Sequence, residues 1–221
     1  MRRILVVALL VVFALSMSAF AQEKTKMPMG AGVTAGLSLG NATGSDAAAL
    51  SGETKKMRLG FAFGAFYSFE PVKGFTIQPE LMYVQKGVKY EEDAGGKLTI
   101  KTDYLEIPVL AKWTPDMKES KIQPTIFVGP FVGIIMSAKA KAEGFAGDSL
   151  NGEVDIKDQL KSTDFGVAFG AGLGMKTTKG ELFFDARYDL GLSKVYKDIG
   201  GVTPDVKSAT ILVLVGYKFD I

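Results

Sequence analysis

The sequence has no cysteine and no histidine. Without cysteine there is no disulfide, no thiol nucleophile and no zinc–thiolate site, and no lipid-bearing cysteine follows the N-terminal apolar stretch. Without histidine, the His-centred activation of serine or water on which many acyltransferases and deacylases depend is ruled out. Tryptophan occurs once, at Trp113. Beyond the N-terminal stretch no apolar run reaches the roughly 20 residues of a membrane helix, although 47% of the residues are hydrophobic. An excess of one charge is missing too. The formal net charge of +2 is supplied by Arg2 and Arg3, and without them 24 basic residues face 24 acidic ones. A basic footprint for nucleic acid is therefore absent.

What is present begins with a secretory signature. Arg2 and Arg3 form a positive n-region, Ile4 to Leu15 an apolar h-region, and Ala19-Phe20-Ala21 a small-x-small cleavage site. The expected division is a signal peptide over 1–21, cleaved on export, and one domain over 22–221 that starts at Gln22. Glycine is abundant, 26 of 221 residues, which disfavours long helices.

The clearest pattern runs from Asp164 to Leu192. Phe165, Val167, Phe169, Ala171, Leu173 and Met175 are apolar at every odd position, separated by Asp164, Gly166, Ala168, Gly170, Gly172, Gly174 and Lys176. After Thr177-Thr178-Lys179-Gly180 the alternation resumes with Leu182, Phe184, Ala186, Tyr188, Leu190 and Leu192. Period-two alternation predicts strands, and a short Gly-bearing turn between two such runs predicts a hairpin. Each strand runs about a dozen residues, nearer to what a tilted bilayer crossing needs than to the globular norm of about five or six.

The same pattern recurs over Gly30–Gly40, Met57–Glu70, Phe75–Lys89, Leu98–Trp113, Ile122–Lys139 and Ser208–Ile221, which makes eight strands. The connections after the first, third, fifth and seventh are long and polar; those after the second, fourth and sixth are short. The predicted fold is all-β, an eight-stranded antiparallel up-and-down transmembrane β-barrel with short turns at one end and long loops at the other. The longest loop is Lys141–Ser162, with a helical turn expected in Asp155–Lys161.

Alternation alone does not say which face points inward. A soluble lipocalin-like barrel would put the apolar parity around a ligand; a membrane barrel does the reverse. The second parity is crowded with Gly32, Gly36, Gly60, Gly64, Gly166, Gly170, Gly172 and Gly174, which suits the cramped interior of an eight-stranded barrel. Tyr67, Phe69, Phe75, Trp113, Tyr217 and Phe219 lie near strand ends beside the short turns, as an aromatic girdle would. With the apolar parity outward, Arg58, Glu80, Lys86, Glu106, Lys112, Asp164, Lys176, Asp185, Arg187, Asp189 and Lys218 point inward as a charge network that plugs the lumen. Asp185 and Asp189 are expected to pair with Arg187, Lys112 or Lys86. Pro108 and Pro130 fall mid-strand, where each removes a ladder donor, and a bulge or lumenal water is the expected compensation.

These runs carry a family resemblance. Gln78-Pro79-Glu80-Leu81 with Lys86-Gly87, Tyr104-Leu105-Glu106-Ile107-Pro108, and Gly129-Pro130 resemble the PorT-like outer-membrane β-barrel family of Bacteroidetes. So do Asp164-Phe165-Gly166, Ala186-Arg187-Tyr188 with Gly191-Leu192, and the closing Gly216-Tyr217-Lys218-Phe219. The resemblance spans essentially the whole mature chain and implies an eight-stranded outer-membrane barrel without an assigned activity. The name-giving member is associated with protein secretion and gliding, a role that nothing in these residues extends to this chain.

The functional expectation is a non-enzymatic barrel with a structural or interaction role in the cell outer membrane, holding no cofactor. The acidic residues Asp148, Glu153, Asp155 and Asp158 do not have the spacing of an EF-hand calcium loop and read as a solvated loop. The glycines of Gly170 to Gly174 lack the following helix of a nucleotide loop. Expected partners are outer-membrane lipid, the assembly machinery through the C-terminal strand, and an extracellular ligand or protein through Lys141–Ser162. A narrow channel or small-solute or lipid transporter is the second reading, and a secreted lipocalin-like barrel the third.

Overall fold

The computed structural model describes residues 28–49, 54–91, 95–117, 120–144, 151–198, 201 and 203–221. The expected signal peptide and Asp148 lie outside them. In chain order the strands are β1 (Met29–Thr43), β2 (Thr54–Val72), β3 (Phe75–Glu91), β4 (Lys97–Trp113), β5 (Ile122–Glu143), β6 (Gly152–Asp155), β7 (Thr163–Thr177), β8 (Gly180–Gly191) and β9 (Lys207–Asp220). One helical turn, α1 (Ser45–Ala49), follows β1, and a 3₁₀ turn at Lys157–Gln159 follows β6.

Eight of these strands close on themselves. β1 to β5 and β7 to β9 pair antiparallel with their neighbours in the chain, and β9 returns to β1 with Ala35 opposite Val215. Closure leaves the ring no unpaired edge, the condition for strands in a hydrocarbon environment. β6 stays outside the ring, pairing its four residues with Lys139–Ala142 at the far end of β5. The Lys141–Ser162 segment is thus partly strand, and its helical turn is the short 3₁₀ one.

Several strands are longer than their apolar alternation. β2 and β5 have 19 and 22 residues, because their upper ends continue in lysine and small residues such as Lys139-Ala140-Lys141-Ala142. At the opposite end two turns take two residues each, Lys73-Gly74 and Thr178-Lys179. Gly74 sits at φ 80°, a left-handed conformation that a side chain would strain.

The mid-strand prolines cause no bulge. On β3–β4 the bridge pairs lapse between Pro79↔Val109 and Met82↔Glu106, and on β4–β5 between Pro108↔Phe131 and Ala111↔Val128, with the register the same on either side. Each missing donor is absorbed by a gap in the ladder. The register shifts lie elsewhere, near Met57, Phe69 and Asp103.

Burial decides the parity. Leu59 is 63% exposed and Ile126 56%, whereas Lys86 and Glu106 are 2% and 1% exposed. A continuous apolar outer wall of this kind belongs in lipid rather than water. The lipocalin-like alternative, with its apolar parity inside, is overturned.

Candidate functional site

The interior is built first from phenylalanine and glycine. Eight strands leave an interior that side chains just fill. Four rings on the inward parity each face a glycine on the next strand: Phe66 faces Gly32, Phe127 faces Gly170, Phe131 faces Gly166 and Phe183 faces Gly216. A Cβ on Gly32 would lie 2.3 Å from the Phe66 ring, and one on Gly216 would lie 2.3 Å from the Phe183 ring. Glycine is therefore the space into which the ring folds. Phe66 and Phe183 also meet edge to face, 5.6 Å between centroids. Alternation did not reveal these rings, because they are apolar residues on the polar parity; the signal was a phenylalanine in register with a glycine.

Among the rings sits the charge network. Arg187 on β8 donates from Nη1 and Nη2 to Glu80 on β3 at 2.7 and 2.9 Å, a bidentate pair of the strong kind. Gln78 donates to the same carboxylate at 2.7 Å. Lys112 on β4 donates to Asp185 at 3.1 Å. Lys86 lies 2.6 Å from Glu106 in ionic contact, without the alignment of a hydrogen bond. The ammonium groups lie over rings as well: Lys86 is 4.7 Å from the Phe131 centroid and Lys112 is 5.1 Å from that of Phe127. Stripped of water, such cation–ring contacts are worth about 2 kcal/mol each.

The remaining inward charges are placed less symmetrically. Asp164 accepts from the hydroxyls of Ser193 and Ser208. Asp189 is buried, yet neither of its oxygens has a hydrogen-bond partner among the described residues, so the expected pairing holds for Asp185 and fails for Asp189. Arg58, expected in the lumen, is not there: at the register shift between Met57 and Ala62 it is half-buried near the upper end, donates to the Lys86 carbonyl and lines a groove on the outer face beside Leu59 and Lys89. Lys218 pairs with Glu181 at 2.7 Å near the short turns. Lys176 lies opposite Glu181 on the same inward parity, exposed at the open lower mouth of the lumen.

Above the charges the lumen is closed by an apolar lid. Ile156 and Leu160, from the loop between β5 and β7, are buried against Tyr104, Ile135 and Ala138. Val206 packs with Ala42, Ala47, Val88 and Tyr90, and Tyr196 touches both groups. The Tyr196 hydroxyl, half-buried in the lid, is pushed up in pKa by desolvation. Segments that read as polar loops thus turn apolar side chains inward. Below the charges a vestibule of about 450 Å³ lies among short-turn residues that include Glu70, Lys176, Glu181 and Lys218.

Outside, Tyr67, Phe69, Phe75, Trp113, Tyr217 and Phe219 sit on the outer wall at the short-turn end. Phe75 faces Trp113, Phe219 faces Ala31, and Tyr217 and Phe219 lie 4.7 Å apart. Of the loop acids, Glu153 is not merely solvated: Lys101 and Lys139 donate to it at 2.7 and 2.8 Å.

Comparison with known proteins agrees with this architecture. Residues 20–197 match the family described as "Outer membrane protein beta-barrel domain". The neisserial surface protein A structure is 15% identical with a TM-score of 0.48, over 86% of this chain and 97% of that one. Outer membrane protein W of E. coli is 13% identical at 0.44, over 88% and 100%, and OprG of Pseudomonas aeruginosa is 12% identical at 0.42, over 88% and 95%. These likenesses are of fold only. No curated protein matches the chain. With the family model covering most of its length, the chain belongs to the outer membrane protein beta-barrel domain family and resides in the cell outer membrane.

Proposed function

We propose that this protein is a non-catalytic, closed-lumen barrel whose work is structural and interactive, done by its outer wall and its long-loop end. By the usual orientation of such barrels the short turns face the periplasm and the long loops the exterior. One observation carries the reading: Glu80 and Arg187, on strands from opposite walls, meet across mid-lumen beneath an apolar lid. A solute path would have to break a buried, doubly hydrogen-bonded ion pair and then displace Tyr104 and Leu160. The competing narrow-channel reading has only the lower vestibule in its favour.

Within this reading the six outer aromatics form the periplasmic girdle, the chain is cleaved before Gln22, and β9 is the strand presented to the assembly machinery. The resemblance of the quoted motifs supports a PorT-like branch within its family, and the surface around Lys141–Ser162 is the first choice for external contacts. The absence of cysteine makes the test simple. Asp198→Cys and Lys179→Cys are introduced separately, and intact cells are treated with a membrane-impermeant maleimide. Labelling at 198 and not at 179, in an outer-membrane band whose gel mobility shifts on boiling, supports the reading. Labelling at 179 alone inverts the barrel, and a soluble periplasmic product removes it from the membrane.

A further inference from the structure

We propose that the basic groove on the outer face of β2 to β5, just above the lipid-facing band, seats the phosphate of an anionic outer-leaflet glycolipid. The inference rests on the orientation argued above. The outer wall changes character at Gln85, Asp103 and Ser137, which face one another across β3, β4 and β5. Below that line the wall shows Tyr83, Leu105 and Ile134; above it, lysine. Lys101 stands twelve residues up β4 from Trp113. At about 3.3 Å per residue and a tilt near 40°, that is roughly 30 Å, just clear of an apolar band about 25 Å tall. This is headgroup height.

The lysines are set against one another. Lys101 faces Lys139, and Lys56 faces Lys89; like charges directly opposite are destabilising unless an anion lies between them. The protein supplies one such anion for the first pair. Glu153 bridges Lys101 and Lys139, and their hydrogen bonds hold its carboxyl down at about 2. The second pair has only Glu91, which Lys56 engages at 2.6 Å. Beside it runs a groove of about 280 Å³ lined by Arg58, Lys89, Lys97, Lys101 and Lys141, with Glu91 and Glu143 the acids. Among the described residues Lys89 and Lys97 have no ion pair.

That leaves cationic donors for a phosphate monoester, whose oxygens accept several charge-assisted hydrogen bonds at once. The occupant is a lipid rather than free phosphate because Leu59, strongly exposed on the apolar wall, also lines the groove. A phosphate seated there has acyl chains running down the wall beneath it.

The test is native mass spectrometry of the mature chain refolded in an uncharged detergent. The probes are bisphosphorylated lipid A, dephosphorylated lipid A, and millimolar inorganic phosphate as competitor. At about 1 kcal/mol per lysine near an anionic surface, Lys89→Gln with Lys97→Gln should bind lipid A roughly 30-fold more weakly. Lys89→Glu with Lys97→Glu should lose more, and a heat-shifted gel band certifies that each variant is folded. Wild type should prefer the phosphorylated lipid at least about tenfold and hold it against inorganic phosphate. Equal retention of both lipids, unchanged affinity in the glutamine variant, or full displacement by inorganic phosphate overturns the proposal. Cysteine labelling reads orientation independently, so an inverted barrel and a groove without phosphate affinity give different results.

Discussion

Arg187 and Glu80 meet across the whole diameter of the barrel: β8 and β3 are four strands apart whichever way the ring is followed, and the two side chains join by two hydrogen bonds. A contact of this kind ties opposite walls together, which the ladder alone cannot do. Removing one partner leaves a buried charge unpaired, at a cost of about 3–5 kcal/mol. Arg187→Met alone should lose about that much unfolding free energy. Glu80→Leu with Arg187→Met should recover most of it, since an apolar pair of similar volume is often neutral. Urea unfolding in vesicles, followed by the fluorescence of the single tryptophan, measures both.

The glycines of the inner wall make a graded prediction. A Cβ at Gly36 would stand 1.9 Å from the Val213 carbonyl oxygen, whereas one at Gly133 would come no nearer than 3.0 Å, to the Tyr104 ring. Gly36→Ala should cost about 1–3 kcal/mol, the usual penalty of overpacking, and Gly133→Ala clearly less. Equal costs from the same unfolding measurement would remove the steric account of these glycines.

Val128 lies at mid-height on the outer wall, half exposed. Val128→Arg should lower stability in a bilayer by about 2–4 kcal/mol and reduce the heat-shifted band in outer membranes. A surface that faced water would accept the same change almost without effect.

Glu153 adds a pH dependence at the upper rim. Its carboxyl is held at about 2 against an ordinary 4.5, chiefly by hydrogen bonds from Lys101 and Lys139. A depressed carboxylate contributes fully above its unfolded value and loses that contribution as pH falls through the folded one. The docking of β6 on β5 should therefore loosen between about pH 4.5 and 2. Amide exchange at 139–142 and 152–155 should accelerate over that window, and Glu153→Gln should exchange fast at every pH.

The alternation of Phe165 to Met175 and Leu182 to Leu192 was enough to read the hairpin, and its recurrence over six further runs to read the eight strands of the ring and the alternating connections, because lipid outside and a packed interior impose a strict period of two. Burial then settled the parity, and the inward glycines had pointed the same way. What the alternation hid had two causes. Phe66, Phe127, Phe131 and Phe183 are apolar residues facing in, and only register with a glycine across the strand pair marks them. The upper ends of β2 and β5 leave the lipid, so the pressure for apolar residues stops while the strand continues through Lys139 and Lys141. The lid was hidden likewise: Ile156, Leu160, Tyr196 and Val206 are single apolar residues in polar surroundings, brought together only by the closed ring.

The closed lumen is tested most directly by single-channel recording. Wild-type mature chain, shown to be inserted by its heat-shifted band, is placed in a planar bilayer beside the Glu80→Ala, Arg187→Ala variant. The Glu80–Arg187 bridge and the lid above it predict no unitary current from wild type over minutes at moderate voltage. The variant, whose lid remains, should differ from wild type in stability and not in conductance. Sustained stepwise conductance from the wild-type barrel would contradict the closed lumen and return the protein to the channels.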